Sequence, residues 1–560
     1  MKKRIMIVLS MLLMTSLVFA ACSKPTNNQP GNTGNNKGTT SERESPAQGD
    51  AGGNASQELR YNLHSEPPSL HPGLANDNVS GGVLNQILEG LTTIGKSGKP
   101  EKAIAEQIDV SDDQKVYTFK LRDAVWSNGD PVTAHDFEYA WKWVLDPANE
   151  AKYAYQLYYI EGAEQANTGK GSDDAIGINA LDEKTLEVKL VNPTPFFLEL
   201  TSFYTYLPIN SKIAEANKNW ADNAGDLYTS NGPFKLVEWS HNDKVVLLKN
   251  DSYWDKNTVK LDKITMTIVN DENTVLGMFE KNELDWAGSP IGALPTDAIP
   301  SLRDSGKLHS QAAASTYFYK FNTTEKPFNN ANIRRAFAYA IDRQAIIDNV
   351  TQGGQFPATA FVPPSIFADN SKGFFADNDI DKAKGFLQKG LEELGYKDVS
   401  ELPAITLSYN TSEGHQKIAQ AIQDMWTKNL GVEVTLENSE WAVYIEKLHS
   451  LDYQVGRMGW IADFNDAVNF LEMFRDKDGG NNDTGWENAQ FKDLLAKSST
   501  EKDAAKRTQL LKDAEAILMD EVPVLPIYFY TNNWVVNDKL KDVFIDGLSN
   551  IYFKWAYFEA

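Results

Sequence analysis

At 560 residues the chain is too long for a single hydrophobic core, and its length fits two to four domains. Composition is that of an ordinary globular protein, 41% hydrophobic and 11% aromatic, but the net charge of -23 at pH 7 opposes binding to nucleic-acid phosphates and to anionic membrane surfaces. A nucleic-acid partner is therefore not expected.

The amino terminus reads as a targeting segment. Lys2, Lys3 and Arg4 precede an apolar run from Ile5 to Ala21, broken only by Ser10, Thr15 and Ser16, which ends in small residues directly before Cys22. A transmembrane anchor needs a longer run, about 20 apolar residues. Phe19-Ala20-Ala21-Cys22 resembles a bacterial lipobox, with Phe where Leu is usual at its first position. Cys22 is the single cysteine, so no disulfide forms within the chain, and it stands where signal-peptide cleavage and diacylglycerol attachment would use it. Residues 1–21 are read as a signal peptide and 22–56 as a lipid-anchored flexible tether. From Ser23 to Ser56 the chain is Asn, Gly, Thr, Ser, Pro and Gln with almost no large apolar residue, so it cannot bury a core. Random-coil scaling gives it an end-to-end distance of roughly 30 Å.

Folded structure is expected from Leu59, with short β-like runs alternating with helical ones. Val79 to Gly90 is helix-like and Lys115 to Leu121 alternates as a strand. Thr133 begins a helix through Val144, with Asp136 at the capping-box position and Phe137, Ala140, Trp141 and Val144 on one apolar face. Strands are expected next at Thr185 to Val191, Phe234 to Trp239, Val245 to Leu248 and Ile264 to Val269. Helices dominate the second half: Asn332 to Ile341, Asp381 to Leu394 closed by Gly395, His415 to Leu430 closed by Gly431, and Asp503 to Asp520.

The stretch Tyr453 to Asp466 carries the strongest candidate site. It is expected to run as a strand into a loop, with Val455 and Arg457 on opposite faces, before a helical segment from Ala467 to Phe474. Gly459 lets another backbone come close, Trp460 offers a flat apolar wall, and Arg457 and Asp463 supply one charge of each sign. A zwitterionic ligand lying along the strand would find a partner for each end. The competing role for Asp463, or for Asn465, is that of a helix N-cap.

Other motifs fail on context. Gly90-Leu-Thr-Thr-Ile-Gly95-Lys96-Ser97 matches the phosphate-binding loop pattern, but a helix precedes it, a strand lies inside it, and Gly98 and Pro100 fall where its helix should continue. Ser499-Thr-Glu-Lys502 matches the Ser-x-x-Lys of acyl enzymes without any Lys-Thr-Gly, and reads as the polar start of the helix after it. Asp377-Asn-Asp379-Ile-Asp381 imitates a calcium loop but has Lys382 in place of the turn glycine and Gln388 in place of the bidentate Glu, so capping is expected instead. The seven histidines are scattered without metal-ligand spacing. Nothing in these patterns argues for catalysis, a metal or a cofactor.

Four stretches in order resemble one family: Tyr117-Thr-Phe-Lys-Leu-Arg through Trp126-Ser-Asn-Gly-Asp-Pro-Val-Thr-Ala-His-Asp136-Phe, the Thr229-Ser-Asn-Gly-Pro-Phe234 turn, Asn332-Ile-Arg-Arg-Ala-Phe-Ala-Tyr-Ala-Ile-Asp-Arg343, and Gly459-Trp-Ile-Ala-Asp463-Phe-Asn. Behind a lipobox and a tether, they are similar to the peptide-binding solute receptors of ABC importers, over nearly everything from Leu59 to Phe553. The resemblance implies an α/β, two-lobed, three-domain periplasmic-binding-protein-like fold with a ligand cleft between the lobes. One lobe would combine residues 57–90, 210–315 and 531–560 as domain I with an inserted domain II at 91–209; the other would be domain III at 316–530.

It further implies a monomeric, non-enzymatic receptor, held as a lipoprotein on the outer face of the cytoplasmic membrane, that captures short peptides and delivers them to membrane permease subunits. The peptide would pair its backbone with Gly459, Trp460 and Ile461 and with the loop Asn76, Asp77 and Asn78. Asp463 matches the family's aspartate for the peptide ammonium. Arg457 and His415 match groups that meet the carboxylate of peptides of different lengths, and Trp441, Tyr153 and Tyr530 match aromatics of the side-chain pockets and backbone contacts. Ile461 and Asp77 depart from the family's residues there, and a lysine used for the shortest peptides has no clear counterpart. A signalling or murein peptide is the alternative cargo, and an extracellular hydrolase the alternative from another class.

Overall fold

The computed structural model describes residues 56–560, so the signal peptide, Cys22 and all of the tether but Ser56 lie outside the described residues. Three sheets organise the chain from Glu58 onward. In the first, Glu58–Asn62 runs parallel to Lys263–Thr267, which is antiparallel to Lys244–Lys249, itself antiparallel to Phe234–Ser240. Leu59, Tyr61, Val245, Leu247, Ile264 and Met266 are all buried, as the two-residue period of a strand requires of one face. The helix Asn78–Ile87 packs onto this sheet, and Asp77 starts it by accepting the Val79 and Ser80 N–H groups at 3.0 and 3.1 Å.

The second sheet is antiparallel throughout: Ala105–Val110, Val116–Leu121, Thr185–Lys189 and Ile178–Asp182. The helix Ala134–Leu145 buries the expected face, Phe137, Ala140, Trp141 and Val144. Asp136 explains the Trp126-to-Phe137 stretch: its buried carboxylate accepts the Thr133 N–H at 2.9 Å, the Trp126 indole N–H at 3.1 Å and the Ser211 N–H at 2.9 Å. The phosphate-loop look-alike is a hairpin of Thr92–Ile94 and Pro100–Lys102 that turns through Gly98 at φ +73°, with no helix to receive a phosphate.

The third sheet has seven strands, in the order Trp286–Gly288, Val524–Val536, His309–Phe321, Val455–Ile461, Ile405–Asn410 and Val434–Ser439, with Phe356–Pro357 paired to the second. Helices Ala331–Tyr339, Ile380–Leu394 and Glu413–Leu430 pack around it, their core built on Phe337 and the fully buried Trp426. Gly395 and Gly431 close two of them at φ +80° and +73°, the left-handed conformation that glycine adopts without steric cost. His309–Phe321 and Val524–Val536 are each 13 residues long, and the expected lobe boundaries at 315/316 and 530/531 fall inside them. There the register shifts, from Ala312 opposite Thr531 to Thr316 opposite Phe529.

Three expectations are corrected. Val455 and Arg457 share a face, because residues two apart in a strand must: Val455 joins the core with Tyr319 and Phe321, and Arg457 lies over the Tyr317 ring at 4.6 Å. The segment after Asp466 is one α-turn, Val468–Leu471, and then the 3-10 turn Glu472–Phe474. Ser499 and Thr500 end the helix Ala489–Thr500 rather than begin the next, which Asp503 caps through the Ala505 and Lys506 N–H groups. The calcium-loop look-alike does split into local roles, Asp379 capping the helix Ile380–Leu394 and Asp377 pairing with Arg343 at 2.8 Å.

Candidate functional site

An open strand edge lies at the centre of the candidate site. His309–Phe321 borders Val455–Ile461 along its whole length, from Phe321 opposite Val455 to Ser315 opposite Ile461. On the other side Ile405–Asn410 pairs only with Val455 and Gly456, and the chain then enters the helix that Ser412 caps. Edge groups alternate in direction along an antiparallel strand. The Ala462 N–H reaches the Ala314 carbonyl at 2.9 Å, so even-numbered peptide groups point to the paired side. The odd-numbered ones face the gap, where the Tyr444 hydroxyl satisfies the Arg457 carbonyl at 2.7 Å and the main-chain groups of Gly459 and Ile461 face a cavity. A side chain at 459 would not fit, since a Cβ there would sit 2.8 Å from the Tyr530 hydroxyl.

The cavity has a volume of ≈ 250 Å³ and is lined by Asn76, Asp77, Asn78, Tyr153, His415, Trp441, Arg457, Gly459, Trp460, Ile461, Asp463 and Tyr530, every ligand contact expected from the sequence. Their roles differ. Asp77 caps its helix through Oδ1 while its Oδ2 is buried without a hydrogen-bond partner, and Asn78 is an exposed residue of the same first turn. The Asn76 amide meets His449 Nε2 at 3.0 Å. Tyr153 lies 6.2 Å from Trp460, ring centroid to ring centroid, and the Trp441 indole N–H is buried without a hydrogen-bond partner.

Asp463 receives three side-chain donors, Gln156 Nε2 at 2.6 Å, Asn469 Nδ2 at 3.0 Å and the Tyr153 hydroxyl at 3.4 Å. No ion pair to it occurs among the described residues. Burial pushes its carboxyl up to about 7, with the three donors opposing the rise. The capping role belongs to its neighbour: Asp466 accepts the Val468 N–H at 2.9 Å, while Asn465 is exposed and donates its own N–H to Glu199. Arg457 is only 8% exposed; it donates to Asn410 Oδ1 at 3.1 Å and to the Tyr530 hydroxyl, its Nε has no partner, and no carboxylate pairs with it among the described residues. The two groups are six positions apart along the end of this strand and the loop after it, at most about 20 Å at ~3.3 Å per residue. Arg457 is buried and Asp463 half-buried, and among the described residues neither has a counter-ion, an arrangement that costs free energy until one arrives.

Contacts across the cleft show that it is closed. Besides Gln156 to Asp463, Ser412 donates to Glu272 at 2.5 Å, Tyr159 to Glu472 at 2.5 Å, and Asn76 reaches His449, whose other nitrogen meets Asp483 at 2.8 Å. Burial against the opposite side raises Glu272 to about 7 and Glu472 to about 8. Gln156 and Asn410 are contacts that sequence patterns did not single out. For Gln156 a signal existed: Ala154–Tyr159 is a 3-10 helix, in which residues three apart eclipse, so Tyr153, Gln156 and Tyr159 line one side.

Known proteins share this architecture. Residues 99–482 match the family model of bacterial extracellular solute-binding proteins, family 5. The oligopeptide-binding protein OppA of Bacillus subtilis is 58% identical over the whole of both chains. The Haemophilus influenzae OppA in complex with the peptide RPPGFSPFR superposes at a TM-score of 0.84, with 31% identity, over 90% of this chain and 99% of that one. The Escherichia coli murein tripeptide-binding protein MppA, also 31% identical, matches at 0.84 in one structure and at 0.60 in its unliganded open form, over 90% of this chain and 99% and 98% of those. The much lower score against the unliganded open form shows that the present lobe arrangement is not the open one.

Proposed function

The chain belongs to the bacterial extracellular solute-binding proteins of family 5, and from that membership we infer that it is a peptide-binding receptor of an ABC importer. What supports this best is the open edge at Gly459 and Ile461 lying between the buried Arg457 and the half-buried Asp463, groups of opposite charge without a partner charge among the described residues. An extended peptide adds itself as a strand there, its main-chain hydrogen bonds the same for every sequence, while Asp463 takes its ammonium and Arg457, with His415, its carboxylate. Trp441, Trp460, Tyr153 and Tyr530 wall the side-chain space, and Asn76 to Asn78 close it from the other lobe. The receptor captures and releases; a peptide incubated with it and analysed by mass spectrometry is expected back unaltered.

The proposed lobes are domain I with its inserted domain II, and domain III, joined by the two long strands. The register shift near 312–316 and 529–531 gives a hinge two strands wide, where a bend disturbs the fewest ladder bonds. Ligand binding should therefore narrow the scattering radius and alter tryptophan emission, because Trp441 and Trp460 line the cleft. An unchanged radius and an unchanged spectrum at saturating peptide would speak against closure.

The receptor is extracytoplasmic, and among the described residues no helix is long and apolar enough to cross a membrane. Attachment is assigned to a lipid on Cys22. Cys22→Ala should abolish lipid labelling and release the protein from washed membranes, since a diacyl group satisfies the two-chain requirement for stable anchoring. Retention of the cleaved variant, undiminished by washing, would remove Cys22 from that role.

A further inference from the structure

Arg457 and His415 both come from the side of the cleft built on the Val455–Ile461 strand and the Glu413–Leu430 helix. Facing them from the strand end after Asn62 is His64, a cavity-lining residue outside the set expected from the sequence. Its backbone is held at φ +65°, a left-handed conformation in which non-glycine residues are uncommon. His64 lines the same cavity as Arg457 and His415, and each of those two groups is electrostatically coupled to it. Three basic side chains thus converge at the end of the cleft remote from Asp463. The acid beside them, Glu440, is exposed and engaged by the Asn270 amide at 2.5 Å.

We propose that His64 is a carboxylate-recognising residue: with Arg457 and His415 it forms a socket contributed by both lobes, in which the carboxylate terminus of a short peptide is held. This rests on the peptide-receptor reading above and adds to it a residue that ties carboxylate recognition to closure, because His64 and Arg457 share one ligand only when the lobes meet. The socket is free to accept an anion. Burial, then the charge of Arg457, pushes His415 well below the ordinary imidazole value, and burial lowers His64 as well, so the neutral form of each ring is favoured while the socket has no anion. The groups facing His64 are Arg457, His415 and Glu440; those facing His415 are Tyr317, Arg457 and His64. An entering carboxylate favours the imidazolium form, so binding takes up protons at neutral pH.

The left-handed backbone makes the test clean, since His64→Gly relieves that conformation and His64→Asn tolerates it, and neither variant is expected to unfold. Di- to pentaalanine and their C-terminal amides are titrated calorimetrically at pH 6 and 7, in two buffers of different ionisation heat so that proton uptake is counted. The natural protein should prefer the free acid over the amide at the length that reaches the socket, by tenfold or more. Both variants should lose at least fivefold of that preference and part of the proton uptake, with amide affinities within twofold of the natural protein. An acid-to-amide ratio unchanged in both variants, or equal losses for acid and amide, overturns the role of His64 while leaving the receptor reading intact. Failure of the natural protein to bind any of these peptides overturns that reading and the inference with it.

Discussion

Asp463→Asn is expected to weaken binding of a free-amino peptide by about 2 to 5 kcal/mol, roughly thirtyfold to several thousandfold, while leaving the thermal midpoint of the unliganded protein almost unchanged. Among the described residues the carboxyl has three hydrogen-bond donors and no cation, so an arriving ammonium is its ionic partner in the closed cleft. Removing the carboxylate strands that ammonium; acetylating the peptide strands the carboxylate. The four combinations therefore form a cycle with large coupling, in which acetylated peptides bind the natural protein poorly and lose little more on mutation. The pH dependence adds a sign. Closing over an acetylated peptide raises the Asp463 carboxyl to about 7, so between the ordinary carboxylate range and pH 7 such a complex takes up a proton and weakens by up to tenfold per unit as pH rises, levelling off above it. A free-amino peptide supplies its own positive charge and escapes this penalty until its ammonium titrates near pH 8. Glu272 and Glu472, raised by the same closure, contribute equally to both peptides, so the difference between them isolates Asp463. Calorimetry showing equal affinity for free and acetylated peptides would return Asp463 to a purely structural role.

Arg457→Met should separate stability from affinity in the opposite sense. The guanidinium is held by the Asn410 and Tyr530 oxygens and the Tyr317 ring face, dipoles that only partly repay the desolvation of a charge. An apolar side chain of similar length is expected to leave the unliganded protein as stable as before or more so, by up to about 4 kcal/mol. Affinity for peptides with a free carboxylate at the matching length should fall by about 2 to 5 kcal/mol, and affinity for their amides far less. A denaturant midpoint that drops together with both affinities would mean that Arg457 serves the core rather than the ligand.

Local patterns were legible where a short-range rule governs. The helix Ala134–Leu145 shows its face through spacing, Gly395 and Gly431 mark helix ends because only the left-handed conformation closes them cheaply, and the hairpin at Gly98 was foreshadowed by glycine and proline where a helix should have continued. The face of Arg457, shared with Val455, follows from the two-residue period alone. Asp463 could not be told from a cap by local sequence, since Asp466 and Asn465 are equally good candidates within three residues. What decided it was which of them faces Gln156, 307 positions away.

By itself the sequence determined the family, the order of elements and the chemical identity of the two charged groups, because motifs and periodicity are properties of neighbours along the chain. Tertiary structure alone decided that the edge at Gly459 and Ile461 is left without a strand, that the buried Arg457 and half-buried Asp463 lack counter-ions among the described residues, and that His64 lines the same cavity as Arg457. Each of these depends on what is absent or present across a gap. Desolvation and unmet hydrogen bonds arise when segments hundreds of residues apart close on one another, and the order of residues along the chain carries no local trace of them.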